Sequence, residues 1–526
     1  MKKVVLCIGM MFVTMRVHAF IHETLPTWHW AYECIDELRL RGGFTELYSL
    51  TRPYTRGQIA EALVALRKGE MDRSLVLTPS DKKMFLNLIM EFKPEIEELQ
   101  AKASQQETVK IGGRVLENVD GTRQKDATVN GIYRSRIGVP LGKFGAAVQA
   151  LNFNQYLEHD PLYVGKRWRG FAVHTEQAYL RVKADRFDFK FGRDFLRWGP
   201  GLNGTLVFSD VSRPLDQFTA SAELGPLRYT FLASVLDPVR LSRDWADSLG
   251  AFSANRYLSA HRLDLRLFKG RFQAGISELV LYGGVNRQLE WYYLNPMLFF
   301  HGESVNQNDQ ANTLGTLDLV FYPTGRWEWY GSLLIDDLQV EKTGPGDLEP
   351  AEIGWMAGTR VADPFAVQGL TLFGEYVRVT NRTYKTPTPW ETFMHRNMPM
   401  GYPLGNDFDK IEAGFSKWIN GNIRIKMYYD CIRKGEGSLY TPFDTPWDQY
   451  EVEKGYSEPF PTGTVEKQDL IGLSLRYFPS PHVGIEGEFA SIRRTNAGHV
   501  EKHTTSESSW RIGLWLDGDW FARLSK

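Results

Sequence analysis

From about residue 107 to the C-terminus apolar residues recur at every second position, and the connections between these segments alternate between short and long. No other feature constrains the fold as tightly. Between Leu470 and Tyr477, Ile471, Leu473, Leu475 and Tyr477 share one face while Gly472, Ser474 and Arg476 share the other. Leu263, Leu265 and Leu267 oppose Arg262, Asp264 and Arg266 in the same way. So do Phe187, Phe189 and Phe191 with Asp188 and Lys190, Ile423, Ile425 and Met427 with Arg424 and Lys426, and Ile512, Leu514 and Leu516 with Arg511 and Asp517.

A soluble sandwich also alternates, so the connections decide. Short ones fall at 141–143, 184–186, 225–226, 269–270, 323–325, 420–421 and 479–481. Long ones fall near 155–171, 195–216, 237–257, 283–310, 338–350, 381–406 and 433–466. A sandwich has no reason to lengthen every second connection, whereas a membrane barrel has short periplasmic turns and long outer loops. The region divides into roughly 18 strands, an even number within the range of bacterial outer-membrane barrels. The expected fold is therefore all-β: a transmembrane outer-membrane β-barrel of about 18 antiparallel strands, with a small N-terminal α-helical periplasmic segment. An even count puts both barrel ends on the periplasmic side. The charges opposite the apolar faces then line a polar lumen of mixed sign.

Composition agrees. The 15 Trp, 23 Tyr and 31 Phe suit aromatic girdles. Past the N-terminus no apolar run is long enough for a spanning helix, so a chain in a membrane must cross as a closed barrel. With 62 Lys plus Arg against 63 Asp plus Glu, the electrostatic reason to expect nucleic acid is gone.

Lys2 and Lys3, the apolar stretch Val4 to Met15 and the small-x-small site Val17-His18-Ala19 predict a signal peptide over 1–19, so the protein is secreted to, and integral in, the bacterial outer membrane. Residues 20–105 form the helical periplasmic segment and 106–526 the barrel. After processing only Cys34 and Cys431 remain, too few for a disulfide framework. Trp30, Ala31, Cys34, Ile35 and Leu38 predict a helix ending at Gly42-Gly43. A second follows Thr55 with Ile59, Ala60, Leu63, Val64 and Leu66. A third, Ser80 to about Ala103, carries Met84, Leu88 and Phe92 on one face, is kinked at Pro94, and reads as a spacer. The stretches WHWAYECIDELRLRGGF (28–44) and YTRGQIAEAL (54–63) resemble one S-layer homology unit. That resemblance implies cell-wall polymer as a partner and a tether between outer membrane and wall as one alternative function.

The stretch AYLRVKADRFDFKFGRDFLRWGPGLNGTLVFSDVSRPLD (178–216), with YYLNPMLFFHGESVNQNDQANTLGTLDLVFYP (292–323) and YGSLLIDDLQVE (330–341), resembles the capsule-assembly Wzi family, most tellingly in RDFLRWGPG (193–201). The resemblance implies an outer-membrane barrel of 18 strands, a helical periplasmic part, a lumen closed by loops, and a lectin-like, non-enzymatic role. That role is binding and anchoring capsular or other surface polysaccharide in capsule assembly. A porin or solute channel is a further alternative.

Sugar binding needs aromatic faces for pyranose C–H groups, with amides or carboxylates for hydroxyls. Trp291, Tyr292, Tyr293, His301, Glu303, Asn306, Asn308 and Asp309 offer both in one long loop. Trp168, with Lys166, Arg167 and Arg169, lies in another, where cations meet an acidic polymer. Aromatic residues near strand ends are also girdle residues in contact with outer-membrane lipid, and that reading stays open. Arg193, Asp194, Arg197, Trp198 and Asp210 are expected to form a packed inner network of a constriction loop. Asp336 and Asp337 are adjacent on a strand end and point to opposite faces, so they cannot act as a carboxylate pair. No spacing singles out a nucleophile with its base, a metal-ligand set or a phosphate loop. No enzyme, cofactor or metal is expected.

Overall fold

The computed structural model describes residues 21–72, 75–100, 108–122, 127–307, 311–339 and 343–523. The predicted signal peptide and Asn308 and Asp309 lie outside the described residues. Eighteen long strands close into one antiparallel barrel. In chain order they are β1 Thr108–Thr122, β2 Thr128–Leu141, β3 Gly145–Asn154, β4 Phe171–Ala184, β5 Phe187–Asp194, β6 Leu215–Leu224, β7 Leu227–Val235, β8 Ser253–Leu267 and β9 Phe272–Gly284. They continue as β10 Ala311–Thr324, β11 Trp327–Asp337, β12 Glu352–Ala362, β13 Leu370–Val379, β14 Phe408–Ile419, β15 Ile423–Lys434, β16 Glu466–Ser480, β17 Val483–Thr495 and β18 Thr504–Arg523. Each strand pairs with its neighbours in sequence, and β1 closes on β18 with Val115 opposite Leu516.

The period-2 faces predicted to be apolar all point out. Leu263, Ile471, Leu473, Ile485, Phe489, Ile512 and Leu514 are exposed, as the lipid-facing surface of a barrel requires, whereas Arg262 and Asp264 point inward and are buried. The short turns gather at one end. The opposite end carries the segments 155–170, 195–214, 236–252, 285–310, 338–351, 380–407 and 435–465, together with two shorter connections at 123–127 and 496–503.

The N-terminal segment forms four helices: α1 Ala31–Leu40, α2 Arg56–Met71, α3 Pro79–Glu91 and α4 Lys93–Gln100. Thr55 and Thr78 each close a capping box, with Gln58 and Asp81 as the reciprocal partners. The chain breaks between α3 and α4 at Phe92, because Pro94 has no N–H to donate and cannot continue the hydrogen-bond ladder of α3. Met84, Leu88 and Phe92 share a buried core with Ile35, Leu38, Ile59 and Leu63, so α3 and α4 fold back on the first two helices. The spacer expected over 80–103 is corrected on this point: its apolar face has a local partner.

This unit seats in the short-turn mouth. Trp30 packs on Phe478, ring centroids 5.9 Å apart, and the inward-facing Trp418 and Trp515 complete the same apolar cluster. Around that cluster run ion pairs: Glu23 with Lys110 at 3.1 Å and with Arg136 at 2.7 Å. Burial pushes the Glu23 carboxyl up, but Arg136 and Lys110 outweigh it and hold it below the usual carboxylate range. Gly270 and Gly421 sit at tight turns with φ of 82° and 65°, where the Thr45 and Ser80 carbonyls approach so closely that a Cβ would collide.

Candidate functional site

The lumen holds an apolar core on one side of its long-loop end and a polar cleft beside it. On the side of β7 to β13 the inward-facing residues are apolar near the long-loop end: Leu232, Leu258, Leu279, Leu314, Leu334 and Val377 are all buried. Two loops fold inward to meet them. Segment 195–214 brings Leu206, Val207 and Phe208, and segment 380–407 brings Phe393, Met400 and Tyr402. The expectation of a polar lumen of mixed sign is thereby corrected for this part of the barrel: where a loop supplies apolar side chains, an apolar wall stabilises it.

Segment 195–214 is tied at both ends. Thr51 and Arg52 pair as a short strand with Trp198 and Arg197, and the Gly199 N–H donates to the Leu50 carbonyl at 2.8 Å. The Ser209 N–H donates to Met400 O at 2.8 Å and the Tyr384 hydroxyl to Leu206 O at 2.6 Å. Four of the five residues expected in an inner network take part in it. Asp194 is fully buried and accepts from Lys190 at 2.7 Å and Gln177 at 2.8 Å. Arg197 pairs with Asp210 at 3.2 Å, and Trp198 packs edge-on against Phe208 at 5.1 Å. Arg193 does not belong to the network: period 2 turns it to the outer wall, where it pairs with Asp216 at 2.5 Å.

Beside this core, β13 to β18 with β1 and β2, joined by Val320, Glu328, Tyr330 and Arg360 of β10 to β12, enclose a polar cleft of about 1050 Å³, slightly above the roughly 300–1,000 Å³ usual for ligand pockets. It reaches from Trp28, Glu33 and Asp36 of the N-terminal unit to the exposed Thr122 and Thr128 at the long-loop end. Its described lining includes eight Arg and Lys and seven Asp and Glu side chains. They pair with one another or with charged groups just behind the lining. Lys426 reaches Glu412 at 3.2 Å, and its ammonium lies 4.9 Å from the Phe373 ring and 4.6 Å from the Tyr428 ring. Lys410 bridges Glu412 and Asp430 at 2.9 and 3.0 Å. Arg511 pairs with Asp120 at 2.5 Å and lies 5.1 Å from the Tyr156 ring. At the closed end Arg424, at 3.2 Å, and Arg476 converge on Glu33 of α1. Burial raises Glu33, but Arg424 and Arg476 dominate and hold it below the ordinary range. The guanidinium groups of Arg114 and Arg134 lie 4.8 and 4.2 Å from the Trp28 ring. A cleft of this kind offers ring faces backed by cations together with a dense field of donors and acceptors.

Near the loop end, His395 Nδ1 lies 3.1 Å from Asp237. Burial alone would raise Asp237; the His395 bond and the Arg396 N–H, at 2.8 Å, outweigh it and bring the carboxyl down to about 2.

The sugar-binding candidates drawn from sequence are scattered. Trp168 remains at the loop surface, half exposed, with Arg169 5.1 Å from its ring. Trp291, Tyr292, Tyr293, His301, Glu303 and Asn306 belong to a loop that lies on the outside of the barrel, remote from the cleft, with Tyr293 fully buried. The cleft residues Arg424, Lys426, Arg476 and Arg511 were visible in the sequence only as the polar side of alternating strands. Tyr156, Phe373 and Tyr428 carried no signal beyond being aromatic.

The sequence matches the family described as "Capsule assembly protein Wzi" over residues 109–507. No curated protein matches it. Among solved structures it is similar to Wzi of Escherichia coli, described as an outer-membrane protein involved in group 1 capsule assembly and a carbohydrate-binding β-barrel. The TM-score is 0.58 at 15% identity, covering 93% of this chain and 99% of that one. The Pseudomonas aeruginosa outer-membrane protein OpdK and OccD3 of the same organism each give a TM-score of 0.45 at 11% identity, covering 78% and 80% of this chain and 99% and 94% of theirs. With the family pattern running from β1 into β18, this chain belongs to the Wzi capsule-assembly family.

Proposed function

We propose that the protein is a non-enzymatic, lectin-like outer-membrane barrel that binds capsular or other surface polysaccharide in its lumenal cleft and so helps anchor it to the cell. The observation that carries the reading is the cleft itself: about 1050 Å³, polar, and closed at one end by the N-terminal unit. Pyranose rings need flat apolar faces flanked by hydrogen-bonding groups, and Phe373, Tyr428 and Tyr156 beside Lys426 and Arg511 supply that combination. A cleft closed at one end suits a chain terminus or a few consecutive sugars better than the middle of a long polymer. The carbohydrate-binding description of the Escherichia coli protein supports the same class of ligand.

In this reading the short turns and the N-terminal unit face the periplasm and the long loops face outward. Residues 1–19 are removed as a signal peptide, so N-terminal sequencing of the mature protein begins at Phe20. Calorimetric titration of the purified full-length barrel with capsular polysaccharide from the producing bacterium tests the main claim. Binding should weaken in Tyr428→Ala and Lys426→Ala and persist in Trp291→Ala. A wild-type protein that binds no better than an unrelated porin refutes it.

The channel alternative is disfavoured by the apolar core that the two infolded loops build in the lumen and by the seated N-terminal unit, and steady current in planar bilayers would revive it. The tether alternative is disfavoured because α1 and its loop spend their surface on lumenal contacts. Retention of the full-length protein on purified cell wall would favour it.

A further inference from the structure

The outer wall of β7 to β10 is covered by the protein itself. Tyr293 and Phe300, from the 285–310 loop, pack against the outward-facing Phe231, Tyr257, Val280 and Tyr282. Tyr282 and Tyr293 have ring centroids 4.6 Å apart, and His261 stacks on Phe300 at 4.7 Å. Beneath the loop, His261 pairs with Glu278 at 3.0 Å. The Phe300 and His301 N–H groups donate to the same carboxylate at 3.1 and 2.8 Å, and His301 Nδ1 meets the Thr313 hydroxyl at 2.9 Å. A polar pair facing hydrocarbon costs several kcal/mol. Here the loop shields it and adds donors.

The loop also reaches deep. The Tyr229 hydroxyl donates to the Pro296 carbonyl, and Tyr229 lies in register with Leu263, which in turn lies opposite Ile276. Pro296 therefore sits far below Gly284, where β9 ends. At about 3.3 Å per residue and a strand tilt near 40° the drop is roughly 20 Å, most of the apolar height of an outer-membrane barrel. Outward the loop presents Leu289, Trp291, Met297, Phe299 and Val305, Trp291 at 86% and Met297 at 81% exposure, with the uncharged polar side chains of Gln288, Asn295 and Asn306 and the His301 ring exposed between them. Of its charged groups, Arg287 and Glu290 pair with each other at 2.7 Å, and Glu303 is partly buried. The surface is continuous with the lipid-facing Val235, Leu263, Ile276, Leu317 and Leu319 of the surrounding strands.

We propose that residues 287–306 are immersed in the hydrocarbon layer of the outer membrane, and that Trp291, Met297, Phe299 and Val305 form a contact surface for lipid acyl chains. The claim rests on the barrel alone and is independent of polysaccharide binding. Trp291 then faces lipid, not sugar.

The test is spin labelling of full-length protein reconstituted in phosphatidylethanolamine/phosphatidylglycerol vesicles, in a Cys34→Ala, Cys431→Ala background. Labels go at Met297→Cys, at Leu317→Cys as a wall reference, and at Lys502→Cys as a water-exposed reference. Oxygen should relax position 297 as it does 317, and a water-soluble nickel complex should have no effect there while broadening 502. Nickel access at 297 equal to that at 502 overturns the proposal. Shielding from both reagents, with spin–spin broadening that vanishes on dilution with unlabelled protein, assigns the face to a second copy and overturns it too. Should the labelled variants not fold, Trp291→Phe in the otherwise native chain keeps the question open to refutation: quenching by brominated lipid should fall relative to wild type, and unchanged quenching counts against it.

Discussion

Replacing Glu33 with Gln removes the charge on which Arg424 and Arg476 converge, and so tests whether the N-terminal unit is held in the mouth electrostatically. Taken alone, the pair with Arg424 at 3.2 Å is worth about 5 kcal/mol at an effective dielectric near 20. The groups are not fully dry, however: Glu33, Arg424 and Arg476 are 25%, 19% and 29% exposed. Desolvation of three charged groups and partial screening cancel most of the gross attraction, leaving a net loss of about 1–3 kcal/mol. A loss of about 2 kcal/mol moves the ratio of seated to unseated unit by roughly 30-fold. Amide hydrogen exchange of the reconstituted full-length protein reads that change directly: α1 should lose protection while β2 and β3 do not. The pH dependence has a fixed sign. Because Glu33 is held below its ordinary value of 4.5, its contribution is complete above that pH and disappears as pH falls through the depressed value. Wild type and variant should therefore differ most near neutrality and converge in acid. Equal α1 protection at neutral pH in the two proteins would show that apolar contacts such as Trp30 on Phe478 hold the unit unaided.

Three further outcomes follow from the packing. Phe208→Ala leaves a void between two loops and the barrel wall and should cost about 3–5 kcal/mol, seen as a lower temperature at which the barrel loses its compact mobility on a detergent gel. Asp237→Asn should cost about 1–2 kcal/mol at neutral pH, and the difference should vanish on acidification, because a carboxyl held at about 2 stabilises above 3.8 and loses its effect on approaching 2. Tyr293→Ala should speed proteolysis within 285–307 yet leave polysaccharide affinity unchanged; an equal loss of affinity would return that loop to the binding site.

The barrel wall was legible because lipid imposes one rule on every outward position, and period 2 repeats that rule along each strand. Ile471, Leu514 and Phe189 could be placed on the outside without knowing any neighbour. The interior obeys no such rule. Leu232 and Leu279 point inward because Leu206 and Phe208, distant in sequence, arrive to cover them, and no local pattern announces a partner of that kind. The loop carrying Trp291 failed to declare itself for a related reason: an aromatic-rich loop has the same composition whether it meets sugar, water or acyl chains. A usable signal lay elsewhere, in His261 and Glu278, two polar residues at outward positions of otherwise lipid-facing strands, which need cover.

The cleft's charge balance makes a last claim that separates two modes of polysaccharide capture. Among the described residues eight cations and seven carboxylates line it, and pairs such as Arg511 with Asp120 and Arg424 with Glu33 are already satisfied. A sugar entering there exchanges hydrogen bonds with water for hydrogen bonds with fixed groups and meets little net field, so its affinity should change only slightly with ionic strength. Capture at the loop bearing Lys166, Arg167 and Arg169 would work differently. Those side chains are exposed, and their pull on an acidic polymer is screened over a Debye length that shrinks from about 10 Å at 0.1 M salt to about 3 Å at 1 M. Affinity measured across that range decides between them. A nearly flat response, abolished by Tyr428→Ala, places recognition in the cleft; a steep fall, abolished by neutralising Lys166, Arg167 and Arg169, places it at the loop surface and removes the cleft's claim to be the binding site.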